Sequence, residues 1–533
     1  RQGFASMRSE LIDALMHPEC YPHPVGRVER VETHISWVLL AGDYAYKIKK
    51  PVDYGFLDFS TLAARKHFCQ EELRLNRRHA AEIYLDVVTI GGPAQSPMIE
   101  GEGEALEYAV RMRRFDQDLR FDRLLARRAV KPEHIDQLAE ELAELHAHAD
   151  IADPASDYGS AEAVIAPMRD NFATLNGRLS DPCRLARIKR LSDWTETHFE
   201  RLGARIEQRK QDGRVRECHG DAHLGNVVLH QDRATLFDCL EFSPDLRWTD
   251  TMADLAFTVM DLNDRGAEHL SWRLLDAYLV HSGDHQGLDL LDFYVVYRAM
   301  VRAKVAALSL ADADTEEQRN HWRSEVDDYL ALAQRTAAPR RPLLVLTSGV
   351  SGSGKSWLSE RLLERCGLIR LRSDVERKRL RGLAASARTD SAPGHGLYTP
   401  ELSARTYRRL AELSERLLKA RFPVLVDAAF LKPEQRAEFR ALAERRGLPF
   451  GVIACTAPRA VLEARISARE RDGGDPSEAG LEVLRVQLAG LESDSIDTEV
   501  PTLKLDTSDE QALARAVAWL DDLRSSRGVD DLA

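Results

Sequence analysis

Apolar positions along the chain change rhythm twice, and those changes divide it. Ile35 to Lys49 holds apolar and aromatic residues around a Gly42-Asp43 turn signal and predicts a β-hairpin ending in Tyr44-Ala45-Tyr46-Lys47-Ile48-Lys49. A helix is expected from about Thr61 to Ala80, then strands at Val87–Ile90 and Tyr108–Met112. From Pro132 onward the spacing is helical, with Ile135, Leu138, Leu142 and Leu145 on one face. The first part therefore reads as a small α+β lobe followed by a largely helical one.

A proline-bracketed stretch, Thr336-Ala337-Ala338-Pro339-Arg340-Arg341-Pro342, then interrupts the pattern. Proline donates no backbone hydrogen bond and moves its predecessor out of the helical region, so two prolines this close mark a break. Beyond it, short apolar runs at Leu343–Thr347, Ile369–Leu371, Pro423–Val426, Phe450–Cys455 and Pro501–Leu505 alternate with helical segments. One such segment carries Tyr407, Leu410, Leu413 and Leu417. Continuous apolar strands between amphipathic helices predict a parallel sheet covered on both faces. The expected organisation is a domain over 1–335, a linker over 336–342 and an α/β domain over 343–533.

Composition changes this picture only by exclusion. The chain has 533 residues, 44% hydrophobic and 30% charged, which suits several packed domains. A net charge of −12 argues against a nucleic-acid coat or a polybasic membrane anchor. No run reaches the roughly 18 consecutive apolar residues of a membrane helix. The seven cysteines are scattered without a CxxC pair, which favours reduced thiols and a cytoplasmic location.

The sharpest chemistry follows the linker. Gly349-Val350-Ser351-Gly352-Ser353-Gly354-Lys355-Ser356 stands between a predicted strand and a predicted helix and fits GxxxxGK[ST]. In that motif Gly349, Gly352 and Gly354 let backbone N–H groups, including that of Ser353, wrap phosphate oxygens; the helix N-terminus adds a positive dipole, Lys355 neutralises charge and Ser356 coordinates magnesium. Asp374, at the carboxyl end of the next strand, is a candidate base, and Arg377 one turn on could hold an anionic substrate. Asp427 is a second strand-end carboxylate. Arg465 and Arg469, four apart before Gly473-Gly474, could close over phosphates as part of a lid. This half resembles the small-molecule P-loop kinases, a group that includes gluconate and shikimate kinases. The segment Arg381 to Pro400, rich in turn residues beside Asp374, is expected to fold over the acceptor.

Before the linker, His219-Gly220-Asp221-Ala222-His223-Leu224-Gly225-Asn226 is followed by Thr235-Leu236-Phe237-Asp238. Phosphoryl transfer needs a carboxylate beside the acceptor hydroxyl, plus an amide oxygen and a second carboxylate for magnesium. Asp221, Asn226 and Asp238 supply these in that order. The stretch resembles the catalytic loop HGDxHxxN of the aminoglycoside phosphotransferase group of protein-kinase-like enzymes. That resemblance implies that Lys47 holds phosphate, with Lys49 on the same side, and that Glu71 or Glu72 pairs with it. It also implies that Asp250 and Asp254 lie behind the metal loop as structural aspartates. No glycine-rich loop precedes Lys47, and Asp238 is followed by Cys239 rather than Phe-Gly.

Together the halves resemble the bifunctional aminoglycoside phosphotransferase/ATP-binding protein family, a bacterial group. The resemblance implies a protein-kinase-like domain followed by a P-loop domain, each using ATP and Mg2+, with phosphoryl transfer to a small-molecule acceptor or, as an alternative, a protein. Neither a nucleic-acid nor a membrane partner is expected. Two other readings stay open at this point: an ATP sensor with an inactive kinase-like half, and a metal-dependent hydrolase centred on the alternating His219, Asp221 and His223.

Overall fold

The computed structural model describes residues 10–55, 57–387, 389, 396–472, 476–491 and 500–525. The chain forms two compact units, one of Arg1–Asp261 with Met300–Asp327 and one of Leu262–Ala299 with Asp328–Ala533.

The first unit contains β1 (Val28–Glu32), β2 (Ser36–Ala41), β3 (Tyr44–Lys49), β4 (Tyr84–Gly91), β5 (Met98–Ile99) and β6 (Glu107–Arg113). They form an antiparallel sheet in the order β1-β2-β3-β6-β4-β5. The expected hairpin is β2–β3: Ala41 pairs with Tyr44 across a two-residue turn in which Gly42 has φ +59°, and a Cβ there would stand 2.8 Å from the Pro24 carbonyl oxygen. β1 escaped the sequence pattern because only Val28 is buried along it.

Period-two alternation gives the two sheet faces different tasks. Tyr46 and Ile48 enter an apolar cluster with Leu11, Leu15, Leu39 and Val88. Ala45 belongs instead to the core with Cys69 of the helix Leu62–Asn76, the side on which Lys47 and Lys49 meet that helix. Thr61 starts the helix by accepting the Ala64 N–H at 3.1 Å. The helical part follows with Pro132–His148, whose Ile135, Leu138 and Leu142 are fully buried, then Ala161–Arg178 and Pro182–Gln211. Two small antiparallel pairs frame the HGD stretch: β7 (Val215–Glu217) with β10 (Trp248–Asp250), and β8 (Val227–His230) with β9 (Arg233–Leu236).

The second unit is built on β11 (Leu344–Ser348), β12 (Ile369–Arg372), β13 (Val424–Asp427), β14 (Phe450–Thr456) and β15 (Thr502–Asp506). All pairings are parallel, in the order β12-β13-β11-β14-β15. The five predicted apolar runs are these five strands. Leu358 and Leu362 of the helix Lys355–Cys366 pack on Val345, Leu425 and Ile453. The unit also takes in the stretch 262–299, N-terminal to the expected linker: the helix Glu268–Ser282 lies against Lys355–Cys366, with Trp272 so near Gly367 that a Cβ there would come within 2.8 Å of the indole. Among the described residues no helix is long and apolar enough to cross a membrane.

Leu362 has no solvent exposure in this core. Leu362→Ala is expected to cost about 2–5 kcal/mol, read as a lower midpoint for the P-loop unit in urea unfolding.

Candidate active sites

In the first unit, β3 delivers two ammonium groups to one carboxylate. Lys47 Nζ lies 2.8 Å from Glu72 Oε1, and Lys49 Nζ lies 2.8 Å from Glu72 Oε2. Lys47 also bonds Asp238 Oδ1 at 2.5 Å, and Lys49 bonds Glu241. Lys49, Glu72 and Glu241 are buried. Burial opposes the charge on Lys47, but Asp238, Glu72 and Glu241 outweigh it and raise its pKa well above the ordinary lysine value. Burial likewise works against ionised Glu72, and the two lysines still hold it below the usual carboxylate range.

Glu71, the residue first in line for this pair, is elsewhere. One residue along a helix is a rotation of about 100°, which carries its side chain out to Arg74 at 2.9 Å and Arg247 at 3.7 Å. The N-lobe partner is Glu72. Glu241, three residues beyond Asp238, was not singled out in the sequence; nothing in its local pattern reports that it meets a lysine on a strand 192 residues away.

The catalytic-loop residues come together as the spacing predicted. Asn226 Nδ2 donates to the Asp221 carbonyl at 3.0 Å and to its Oδ2 at 3.1 Å. His223 Nε2 lies 3.4 Å from the same Oδ2; burial opposes its charge, yet Asp221 and Asp261 raise its pKa. Asp254 anchors the loop from below, accepting the N–H groups of His219 at 3.1 Å and Gly220 at 2.9 Å and contacting His146 Nε2 at 3.0 Å. Asp261 accepts the Leu224 N–H at 2.8 Å. Asp250 holds Arg209 through both carboxylate oxygens. Asp238 stands at φ +62°, a turn that brings its carboxylate to Lys47.

Two lysines meet three carboxylates, Glu72, Glu241 and Asp238; burial raises the pKa of Glu241, and Asp238 is the most exposed of the three at 40%. The Asp238 carboxylate and the Asn226 amide are oxygen donors of the kind a hard divalent cation takes. His219 has both ring nitrogens within hydrogen-bonding range of the backbone. Its Nδ1 faces the Asp221 N–H at 3.3 Å and its Nε2 faces the Phe237 carbonyl at 2.9 Å, so both ring nitrogens are engaged. Among the described residues, His219, Asp221 and His223 do not form a metal-ligand group; the groups that converge are His79, His219 and Cys239, and His146, Cys218 and Asp254.

In the second unit the carboxyl ends of β11, β12 and β13 meet at one cleft of about 1170 Å³, bordered by Lys355, Ser356, Asp374, Arg377 and Asp427. Gly349 has φ +143° and Gly354 φ +84°; a Cβ would lie 2.4 Å from the Cys455 carbonyl oxygen at the first and 2.6 Å from Thr507 Oγ1 at the second. Only glycine makes this loop. Lys355 Nζ folds back onto the carbonyls of Gly349 and Val350, each at 2.8 Å, and lies 3.5 Å from Ser353 Oγ; burial lowers its pKa.

Asp374 Oδ1 pairs with Arg377 Nη1 at 2.7 Å, and the guanidinium lies 5.2 Å above the Tyr398 ring. Burial pushes the Asp374 pKa up, but Arg377 and Arg372 outweigh it, so the carboxylate stays ionised. Arg465 reaches the Gly352 carbonyl at 3.3 Å and Thr507 Oγ1 at 2.8 Å; Arg469 reaches Ser351 Oγ at 3.2 Å. Both arginines of the predicted lid thus touch the phosphate loop, while Gly473-Gly474-Asp475 lie outside the described residues. Of the segment predicted to cover the acceptor, Tyr398 borders the cleft, Lys378 holds the carbonyls of Ala385 and Ala387, and residues 388 and 390–395 lie outside the description.

Residues 100–294 match the family described as Phosphotransferase enzyme family, and residues 344–493 match the one described as AAA domain. Uncharacterized proteins of Mycobacterium tuberculosis and Mycobacterium bovis are each 30% identical over 490 residues, covering 90% of this chain and 95% of the relative. The chain belongs to the bifunctional aminoglycoside phosphotransferase/ATP-binding protein family. Similar solved structures include a choline/ethanolamine kinase family protein from Mesorhizobium loti, 14% identical over 62% of this chain and 98% of that one, TM-score 0.40. A spectinomycin phosphotransferase in complex with ADP and spectinomycin is 12% identical over 62% and 98%, TM-score 0.37. A sugar kinase from Janibacter sp. is 25% identical over 34% and 95%, TM-score 0.26. In this family's terms the chain is a kinase-like phosphotransferase domain followed by a P-loop kinase-like domain.

Removing Glu72 leaves two buried lysines short of a counter-charge. Glu72→Gln is expected to destabilise by about 3–5 kcal/mol in chemical denaturation, whereas Glu71→Gln, paired with exposed Arg74, should cost under about 1 kcal/mol. Because the Glu72 pKa is depressed on folding, its contribution is complete above the ordinary glutamate value and is lost as pH falls through the depressed one. Stability measured down an acid series should therefore drop less steeply in Glu72→Gln than in the parent.

Proposed function

We propose that the protein transfers the γ-phosphoryl group of Mg-ATP to a hydroxyl of a small-molecule acceptor, with a nucleotide site in each unit. The observation that carries this reading is the repeated combination of a carboxylate, a lysine and further oxygen donors of the kind a divalent cation takes. In the first unit these are Asp221, Lys47 and the pair Asn226 and Asp238. In the second they are Asp374, Lys355 and the pair Ser356 and Asp427.

At either site the acceptor hydroxyl gives its proton to the aspartate as its oxygen bonds to phosphorus, and the bond from that phosphorus to the bridging oxygen breaks, releasing ADP. Lys47 or Lys355 stabilises the phosphate charge. Arg465 and Arg469 lie against the P-loop, where they would meet charge developing on the transferred group. Magnesium, held by the oxygen donors named, would supply charge neutralisation. Arg377 presents a buried guanidinium whose Nε has no partner among the described residues, which suits an anionic acceptor. Asp374 borders the cleft of the second unit, and transfer is assigned to at least one of the two sites.

Incubation with labelled ATP and a metabolite extract tests the proposal. Asp221→Ala and Asp374→Ala should each remove a labelled product, with transfer rates falling about 10²–10⁴-fold. Undiminished labelling in both variants would sink the assignment of these carboxylates as bases.

A further inference from the structure

A run of buried polar groups leads from outside the AAA-matched residues to the cation side of the P-loop. Asp276, on the helix Glu268–Ser282, accepts two hydrogen bonds from Arg370 on β12, Nε to Oδ1 at 3.1 Å and Nη2 to Oδ2 at 2.6 Å. The other arm of the guanidinium, Nη1, donates to Ser359 Oγ at 3.2 Å and approaches the Ser356 carbonyl at 3.4 Å. Ser359, one turn beyond Ser356, donates to Asp427 Oδ2 at 3.0 Å. Ser359 is fully buried, Asp427 is 4% exposed and Arg370 9% exposed.

This arrangement sets one buried guanidinium between two carboxylates. Arg370 stays charged, since Asp276 and Asp427 together outweigh its burial. An uncompensated positive charge one serine away would cancel the field of Asp427 in a low-dielectric interior. Direct bidentate pairing with Asp276 removes that conflict. Arg372 Nε, 3.7 Å from Asp427 Oδ2, adds a second cation on the same side, so the balance is sensitive to the loss of one negative charge.

We propose that Asp276 is a positioning residue for the P-loop cation site: it neutralises Arg370, so that the field of Asp427 is left to act on a divalent cation beside Ser356. The proposal rests on the reading of this loop as a Mg-nucleotide site. It makes the P-loop site depend on a stretch, 262–299, that lies partly within the residues matching the phosphotransferase family and wholly outside 344–493.

The test uses the full-length protein, ADP as the probe and Mg2+ as the titrant, followed by calorimetry. The P-loop component is the Mg-dependent ADP binding that Lys355→Ala removes. Asp276→Asn should raise the Mg2+ concentration needed for that component about 10–100-fold, with Mg-free ADP binding unchanged. Adding Arg370→Met to Asp276→Asn should return the requirement to the wild-type value, because the charge that Asp276 cancels is gone. A wild-type Mg2+ requirement in folded Asp276→Asn overturns the proposal. So does a loss of Mg-free and Mg-dependent binding together that Arg370→Met does not rescue, since that is the signature of a scaffold. Should Asp276→Asn fail to fold, the single Arg370→Met protein decides: a wild-type Mg2+ requirement supports the charge-cancelling role, and a raised one overturns it. If the wild-type protein has no ADP binding that Lys355→Ala removes, the nucleotide reading itself falls, and this proposal with it.

Discussion

Lys47 and Lys49 leave β3 on the same face, and the helix Leu62–Asn76 closes over that face, so neither ammonium can be buried without a carboxylate to meet it. A lone charge in the interior costs several kcal/mol even after relaxation, which makes Glu72 a condition of the lobe's packing. From that constraint much else follows. Glu241 completes the pairing of Lys49, and Asp238 is drawn to Lys47 from a backbone turn at positive φ. The loop carrying Asp221 and Asn226 is fixed in turn by Asp254 and Asp261, acceptors on a single helix. A structural requirement of the core thereby brings Asp238 and the loop of Asp221 and Asn226 to the same lobe.

The P-loop unit solves a similar problem with the signs reversed. Guanidinium groups crowd its carboxylates: Arg377 pairs with Asp374, Arg372 lies 3.7 Å from Asp427, and Arg370 reaches Asp427 through Ser359. Both carboxylates border the cleft, so a guanidinium that pairs fully with either competes with whatever cation enters it. Arg377 is shared between Asp374 and the face of Tyr398, and Arg370 is turned away to Asp276. The helix Glu268–Ser282 is therefore part of the electrostatics of this unit as well as of its packing.

Residues close in sequence were legible from sequence. HGDxHxxN fixes Asp221 and Asn226 five residues apart in one loop, and their hydrogen bond needs no more than local geometry. The P-loop glycines are likewise dictated by backbone angles that other residues resist. Alternation along Tyr44–Lys49 placed both lysines on one side. The choice between Glu71 and Glu72 was not legible, because adjacent helical positions differ only by rotation about an axis whose setting against the sheet is a tertiary fact. Glu241 and Asp276 were missed for the same reason, as each meets a partner roughly a hundred or more residues away.

The amino-acid sequence by itself determined the two kinds of domain, the five parallel strands and the position of the HGDxHxxN and GxxxxGK[ST] motifs, since periodicity and motif spacing act over a few residues. Only the tertiary structure decided which carboxylate meets which cation, that 262–299 packs with the P-loop unit, and that among the described residues His219, Asp221 and His223 do not converge as a metal-ligand group. The physical reason is common to all three. Charge pairing and burial are settled by the distances between groups that the chain brings together from afar, and no local pattern encodes those distances.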